Sequence, residues 1–311
     1  MKKLILLLSV VFINGIHAQD IAIAAKGVTL CGTLETPDTN IAVPAVLIIA
    51  GSGPTDEDGN SPAFIGKNNS LKYLAEELLK HGIASLRYNK RFIGKCAQTP
   101  FDESSLTIDI LIDDAVKCVE YLKKDKRFSK VIVIGHSEGS LIGMIAAQKA
   151  GTDAFVSIAG AGKPADALIK EQVKNVGASE ELRNQFTVIL DSLKGGHTVN
   201  AIDPSLYGYF RPSVQPYMIS WIKYDPAKEI AKLNIPVLIA QGTNDIQMTM
   251  ENAEILKAAN AKAELVKIDN MNHVLKEVIG NDMNKSIQAY GDPNLPVVPK
   301  LVKAIAEFIK K

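Results

Sequence analysis

The stretch Val131–Gly143, VIVIGHSEGSLIG, constrains this chain more than any other. Four β-favouring apolar residues run into Gly135-His136-Ser137-Glu138-Gly139, and a small-residue run of helical character follows from about Ser140. Where a strand turns straight into a helix, a Cβ on either side of the turn meets the neighbouring strand or helix backbone. Glycines flanking a serine relieve that clash, and the serine between them is held in strained geometry with its hydroxyl projecting. Gly-x-Ser-x-Gly alone is a weak pattern. Its placement between a buried strand and a helix gives it weight.

The same alternation runs along most of the chain. VPAVLIIAG is a continuous apolar run ending in glycine, as expected of a strand buried on both faces. SLKYLAEELLKHG follows with Ser70 as N-cap, apolar residues at helical spacing and Gly82 as stop. IASLRYN reads as a strand and LTIDILIDDAVKCVEYLKKD as a long amphipathic helix, before VIVIG and AFVSIAG. KGVTLCGTLETP alternates loosely and reads as an early strand or half of a hairpin. Such an order predicts an α/β fold around a mostly parallel sheet flanked by helices. Between Lys163 and about Tyr224 the rhythm breaks into helical and aromatic-rich segments, then resumes with IPVLIAQG, MENAEILKAAN, AELVKID and PKLVKAIAEFIKK. The expected division is a core of residues 19–162 and 224–311, interrupted by a helical cap at 163–223.

Composition adds exclusions. With 311 residues, 47% of them apolar and 22% charged, the chain can bury a sizeable core. A net charge of +1 provides no basic field for nucleic acid. At the N-terminus, MKKLILLLSVVFINGIHAQ has the charged, apolar, small-residue order of a secretory signal. Its apolar run, Leu4–Ile13, is half the ~20 residues of a membrane-spanning helix. The expected leader is residues 1–18, cut after Ala18, giving a secreted or periplasmic protein with no stable membrane insertion. An uncleaved anchor or a buried helix is the competing reading. Cys31, Cys96 and Cys118 match neither a zinc site nor a redox pair. One disulfide among them would leave a thiol over, and the simpler expectation is three small buried residues.

A serine hydroxyl needs a base to act as a nucleophile, and the base needs an orienting acid. In a strand–turn–helix setting the chain order is serine, acid, histidine, with the last two in loops after later strands. VLIAQGTNDIQ supplies Asp245 beyond one buried strand, and LVKIDNMNHVL supplies His273 beyond the next. The candidate triad is Ser137, Asp245 and His273. Asp269 comes off the wrong strand, His81 sits at a helix end, His136 is the variable position of the turn, and His197 falls in the cap. An oxyanion formed by attack on a carbonyl requires backbone N–H donors. The candidates are the amide of Glu138, just after the nucleophile, and that of Ser52, in the glycine-rich loop IAGSGPTDEDGN. The Glu138 side chain reads as a helix-start carboxylate favoured by the dipole, with a polar pocket wall as the alternative. Arg87, Lys90 and Arg91 are expected to pair with Asp56, Glu57 or Asp58 and brace the loop around Ser52, with the holding of a substrate carboxylate as the alternative. The cap aromatics Tyr207, Tyr209, Phe210, Tyr217 and Trp221 are expected to form the cap's own core, with the lining of an acyl pocket as the alternative.

These motifs resemble the α/β-hydrolase superfamily, and within it the bacterial esterase and serine-aminopeptidase-like branch. GSGPTDEDGN resembles the branch's Gly-Ser-Gly-Pro-Thr-Asp loop, GHSEG matches in full, and YDPAKEIAKLNIPVLIAQGTNDIQM resembles the segment carrying the triad acid. LRYNKRFIGKC departs from the branch pattern at Asn89, Phe92 and Cys96. The resemblance implies the α/β-hydrolase fold with an inserted cap and the same three triad residues. The expected activity is cleavage of small carboxylic esters through an acyl-enzyme, without metal or organic cofactor. A peptidase using Glu138, Glu171, Glu180 or Glu181 to hold a free amine is the alternative. A thioesterase and a non-catalytic binding protein come after it.

Overall fold

Eight strands form one sheet in the computed structural model, which describes residues 16–62, 65–97, 101–175, 177–280 and 283–311. The strands are β1 (Ile16–Ala25), β2 (Val28–Pro37), β3 (Val43–Ile49), β4 (Ala84–Tyr88), β5 (Phe128–His136), β6 (Ala154–Ile158), β7 (Val237–Gly242) and β8 (Glu264–Ile268). Their order across the sheet is β1-β2-β4-β3-β5-β6-β7-β8. β1 pairs with β2, and β2 with β4, antiparallel; every later neighbour is parallel. The expected α/β-hydrolase fold, a mostly parallel sheet flanked by helices, is the one observed.

Continuous apolar runs make sense because both faces of the parallel part are covered. Side chains alternate across a strand. In β3, Ala45, Leu47 and Ile49 join one buried cluster while Val46 and Ile48 join the other. The second cluster is closed by α1 (Ser70–Lys80) and, at the far end of the chain, by α11 (Pro299–Lys310). The first is closed by α2 (Ile108–Lys124) and α3 (Glu138–Ala150). Between β6 and β7 the chain forms α4 (Ala165–Asn175), α5 (Glu180–Lys194), α6 (Tyr207–Phe210), α7 (Gln215–Ile222) and α8 (Pro226–Ala231). Phe186 and Phe210 meet edge-on with ring centroids 5.0 Å apart and form part of the interior of this helical segment. The chain then adds α9 (Met250–Ala259) and α10 (Met283–Ala289) around the last two strands.

Three expectations need correction. α3 begins at Glu138, directly after the serine, rather than near Ser140. Residues 16–25 form the outermost strand, with Ile21 and Ile23 buried, and supply the other half of the hairpin for which the sequence reading offers only 26–37. Cys31 and Cys96 form a disulfide across 65 positions, leaving Cys118 as a buried thiol. Most of the expected leader, residues 1–15, lies outside the described residues, while residues 16–18 are the first rungs of β1 opposite Glu35–Pro37. Among the described residues no helix is long and apolar enough to cross a membrane.

Candidate active site

Ser137 sits between β5 and α3 with φ 56° and ψ −123°, a left-handed conformation that a serine adopts only when its surroundings enforce it. The surroundings are the two glycines. A Cβ on Gly135 would lie 2.2 Å from the carbonyl oxygen of Gly139, and one on Gly139 would lie 2.3 Å from that of Ile49. The turn is thus wedged between helix and sheet. Its strain is held by backbone bonds from Ser137 N–H to the Ile158 carbonyl and from Ser140 N–H to the Ser137 carbonyl, both 2.9 Å.

The candidate acid and base meet as the order of strands predicts. Asp245 follows β7 by three residues, and His273 follows β8 by five. His273 Nδ1 lies 2.8 Å from Asp245 Oδ2, with both side chains almost fully buried. Gln241 Nε2 donates to the same oxygen at 3.2 Å, while the amides of Gln247 and Met248 donate to Oδ1 at 2.8 and 2.9 Å. Four donors thus converge on one carboxylate. An ionised carboxylate only accepts, so His273 carries its proton on Nδ1 and keeps a lone pair on Nε2. The competitors fall away: Asp269 pairs with Lys300 at the surface, and His81 and His197 are exposed.

His136 has a part the motif did not suggest. Its Nε2 lies 2.8 Å from the His273 carbonyl, and the two rings are 4.9 Å apart. The carbonyl can only accept, so His136 Nε2 bears the ring proton. Burial, reinforced by the neighbouring His273, pulls its pKa down to about 3 and keeps the ring neutral. His136 thereby ties the base's backbone to the residue beside the nucleophile.

The loop after β3 reaches the serine from the other side. A Cβ on Gly51 would stand 3.2 Å from Ser137 Cβ, and Ser52 lines the same cavity as Ser137 and Glu138. The Glu138 amide opens α3, where no preceding turn offers it an acceptor. The loop is braced, but of the three basic residues only Arg87 uses an expected carboxylate. Arg87 pairs with Asp58 and, at 2.6 Å, with Glu35. Lys90 Nζ donates to the Gly51 carbonyl at 2.5 Å and the Gly53 carbonyl at 3.1 Å. Arg91 instead clasps Asp114 on α2. Asn89, a departure from the branch pattern, accepts from the Glu57 amide at 3.0 Å and holds the same loop.

The Glu138 side chain does more than favour a helix start. Its two oxygens, buried, meet Lys90 Nζ at 3.3 Å and the Tyr217 hydroxyl at 2.5 Å. One carboxylate therefore joins the turn, the loop around Ser52 and α7. The cap aromatics divide. Phe210 is buried, Tyr207 and Tyr209 are exposed, and Tyr217 and Trp221 face a cavity.

Two cavities adjoin these residues and share Ser52, Glu138 and Trp221 in their walls. One, of about 80 Å³, is lined by Ser137, Leu141, Leu168 and Met248 among others. The second, of about 430 Å³, runs between α2 and α7 past Phe92, Phe101 and Met218. A roomier hollow of about 760 Å³ lies at the start of β3, the opposite end of the sheet from Ser137, and holds none of these groups. No cluster of three or more His, Cys, Asp or Glu is placed to hold a metal ion among the described residues. Strained serine, buried His–Asp pair and glycine-rich loop are the parts that nucleophilic acyl transfer requires.

Comparison with known proteins follows the same line. Residues 64–195 match the family model described as serine aminopeptidase, S33. Esterase EstD of Thermotoga maritima is 32% identical over 254 residues, covering 79% of this chain. The match spans only 58% of that relative's length. Among solved structures, the esterase Est1E of Butyrivibrio proteoclasticus with ferulic acid bound aligns at a TM-score of 0.60 and 19% identity, over 94% of this chain and 100% of its own. An esterase of Pyrococcus furiosus aligns at 0.58 and 17%, over 95% and 91%. A hypothetical protein of Pseudomonas aeruginosa aligns at 0.61 and 15%, over 99% of each chain.

Proposed function

We propose that this chain is a serine hydrolase of the α/β-hydrolase superfamily, in its esterase and serine-aminopeptidase-like branch, that cleaves carboxylic esters. The observation that carries the reading is the buried His273–Asp245 pair, 2.8 Å long, at the strand ends beside the strained Ser137. His273 Nε2 accepts the Ser137 proton as Oγ attacks the ester carbonyl. The amides of Ser52 and Glu138 receive the oxyanion, and the neutral His136 adds no competing charge. Collapse of the tetrahedral adduct breaks the bond to the alkoxy oxygen, which takes the proton from His273. Water, activated by the same histidine, then attacks the acyl-enzyme and releases the acid.

Ester is favoured over peptide by charge accounting. The carboxylates in the walls of the two cavities are Glu103 and Glu138, and each is already paired, with Arg211 and Lys90 respectively. Glu171 is held by Lys163, and Glu180 and Glu181 lie in the first turn of α5, outside both linings. A free α-amine would find no uncommitted acid among them. The reading includes a core of 19–162 and 224–311, a cap of 163–223 over Ser137, and export by a leader cut after Ala18.

The test is turnover of p-nitrophenyl esters beside aminoacyl p-nitroanilides. We expect ester hydrolysis to fall about 10⁴-fold or more in Ser137→Ala. Dominant anilide turnover would move the assignment to a peptidase, and ester turnover unchanged in Ser137→Ala would overturn it.

A further inference from the structure

The two cavities differ in size, lining and position relative to the base, and those differences extend the hydrolase reading on which this inference rests. We infer that the 430 Å³ cavity is an acyl site for a medium-length apolar chain, and that the 80 Å³ cavity takes a short alcohol.

Position assigns the sides. The alkoxy oxygen must receive its proton from His273, so the alcohol lies on the His273–Asp245 side of Ser137. The small cavity is on that side: Gln247 and Met248, whose amides hold Asp245, line it. The large cavity is lined instead by Gly53, Pro54 and Lys90, and by neither Gln247 nor Met248. With the oxyanion between the Ser52 and Glu138 amides, the remaining carbonyl substituent is the acyl chain, and it enters the large cavity.

Lining assigns the chemistry. Phe92, Phe101, Leu106, Leu111, Met218 and Trp221 give that cavity an apolar wall. Its charged members are satisfied from within the protein. Lys90 is held by Gly51, Gly53 and Glu138, Glu138 also by Tyr217, and Glu103 by Arg211 and Ser213. An ionised occupant would find no unpaired counter-charge there, and a neutral chain displaces water from carbon at no electrostatic cost. The small cavity, walled by Leu141, Ala165, Leu168 and Ile169, has room only for a short group of a few carbons.

Methyl octanoate, methyl acetate and octyl acetate, followed by pH-stat, separate the alternatives. Each buried methylene is worth roughly fourfold in kcat/KM, so with six more of them methyl octanoate is expected to exceed methyl acetate at least tenfold, and to exceed octyl acetate as well. Gly208→Phe fills the large cavity at a position where a new Cβ meets nothing within 4 Å, so folding is spared. It is expected to lower the octanoate-to-acetate ratio tenfold or more. Leu168→Ala enlarges the small cavity and is expected to raise the ratio of butyl to methyl octanoate. Octyl acetate outrunning methyl octanoate, or ratios unmoved in both variants, would overturn the assignment. Fluorophosphonate labelling of Ser137 separates the two levels. Labelling without turnover of these esters refutes the acyl assignment alone, whereas no labelling removes the hydrolase reading and the assignment with it.

Discussion

Replacing Lys90 by methionine removes the cation from a site where almost no water can replace it. The Lys90 and Glu138 side chains are 4% and 1% exposed, and their ion pair measures 3.3 Å. In Lys90→Met, Glu138 keeps only the Tyr217 hydroxyl, and the Gly51 and Gly53 carbonyls lose their shared donor. Leaving one member of a buried pair uncompensated costs about 3–5 kcal/mol, far more than a surface pair is worth. Urea unfolding at pH 7 should show that loss as a lower midpoint with an unchanged slope. Adding Glu138→Gln removes the stranded charge, so the double variant should recover about half of the loss. A Lys90→Met cost below about 1 kcal/mol, or costs that simply add in the double variant, would refute the argument that a single buried carboxylate joins loop, turn and α7.

Two further expectations concern the residues around Ser137. The depressed pKa of His136, about 3 against an ordinary 6.5, means that the unfolded chain binds a proton there between those values and the folded chain does not. Stability from this group is complete above pH 6.5 and is lost as pH falls, by about 2 kcal/mol between pH 7 and pH 5. Urea midpoints at the two values measure it, and His136→Gln, which retains a donor for the His273 carbonyl, should remove most of the difference. Gly139→Ala drives a Cβ to 2.3 Å from the Ile49 carbonyl, so it should cost about 3 kcal/mol or more, measured the same way.

How much of this was legible in the sequence depended on whether the signal was local. The strand runs were legible because a strand buried on both faces is continuously apolar, as β3 and β5 are. Asp245 and His273 could be picked out because each lies a few residues beyond such a run. The bracing by Arg87 was readable as charge near opposite charge, but Lys90 turns to the Gly51 and Gly53 carbonyls and Arg91 to Asp114 on α2, partners that no local charge pattern indicates. The role of the Glu138 side chain was not legible: its partners stand 48 and 79 positions away, on a different loop and on α7. Local sequence showed only an acid at a helix start. Cys31 and Cys96 are brought together by the loop that follows β4, whose Asn89 amide bonds the Cys31 carbonyl, a contact that no spacing rule encodes. β1 was obscured by the leader-like run before it. Its buried positions Ile21 and Ile23 are set among alanines, whose small apolar side chains blur the alternation.

The central claim is that Ser137 is an activated nucleophile. The most direct measurement is incubation of the folded protein with a fluorophosphonate, followed by peptide mapping of the adduct. The account predicts one covalent label, on Ser137, lost in Ser137→Ala and strongly slowed in His273→Ala, because the hydroxyl needs the Nε2 lone pair to react. A folded protein that takes no label, or one labelled at Ser137 equally fast without His273, would contradict it.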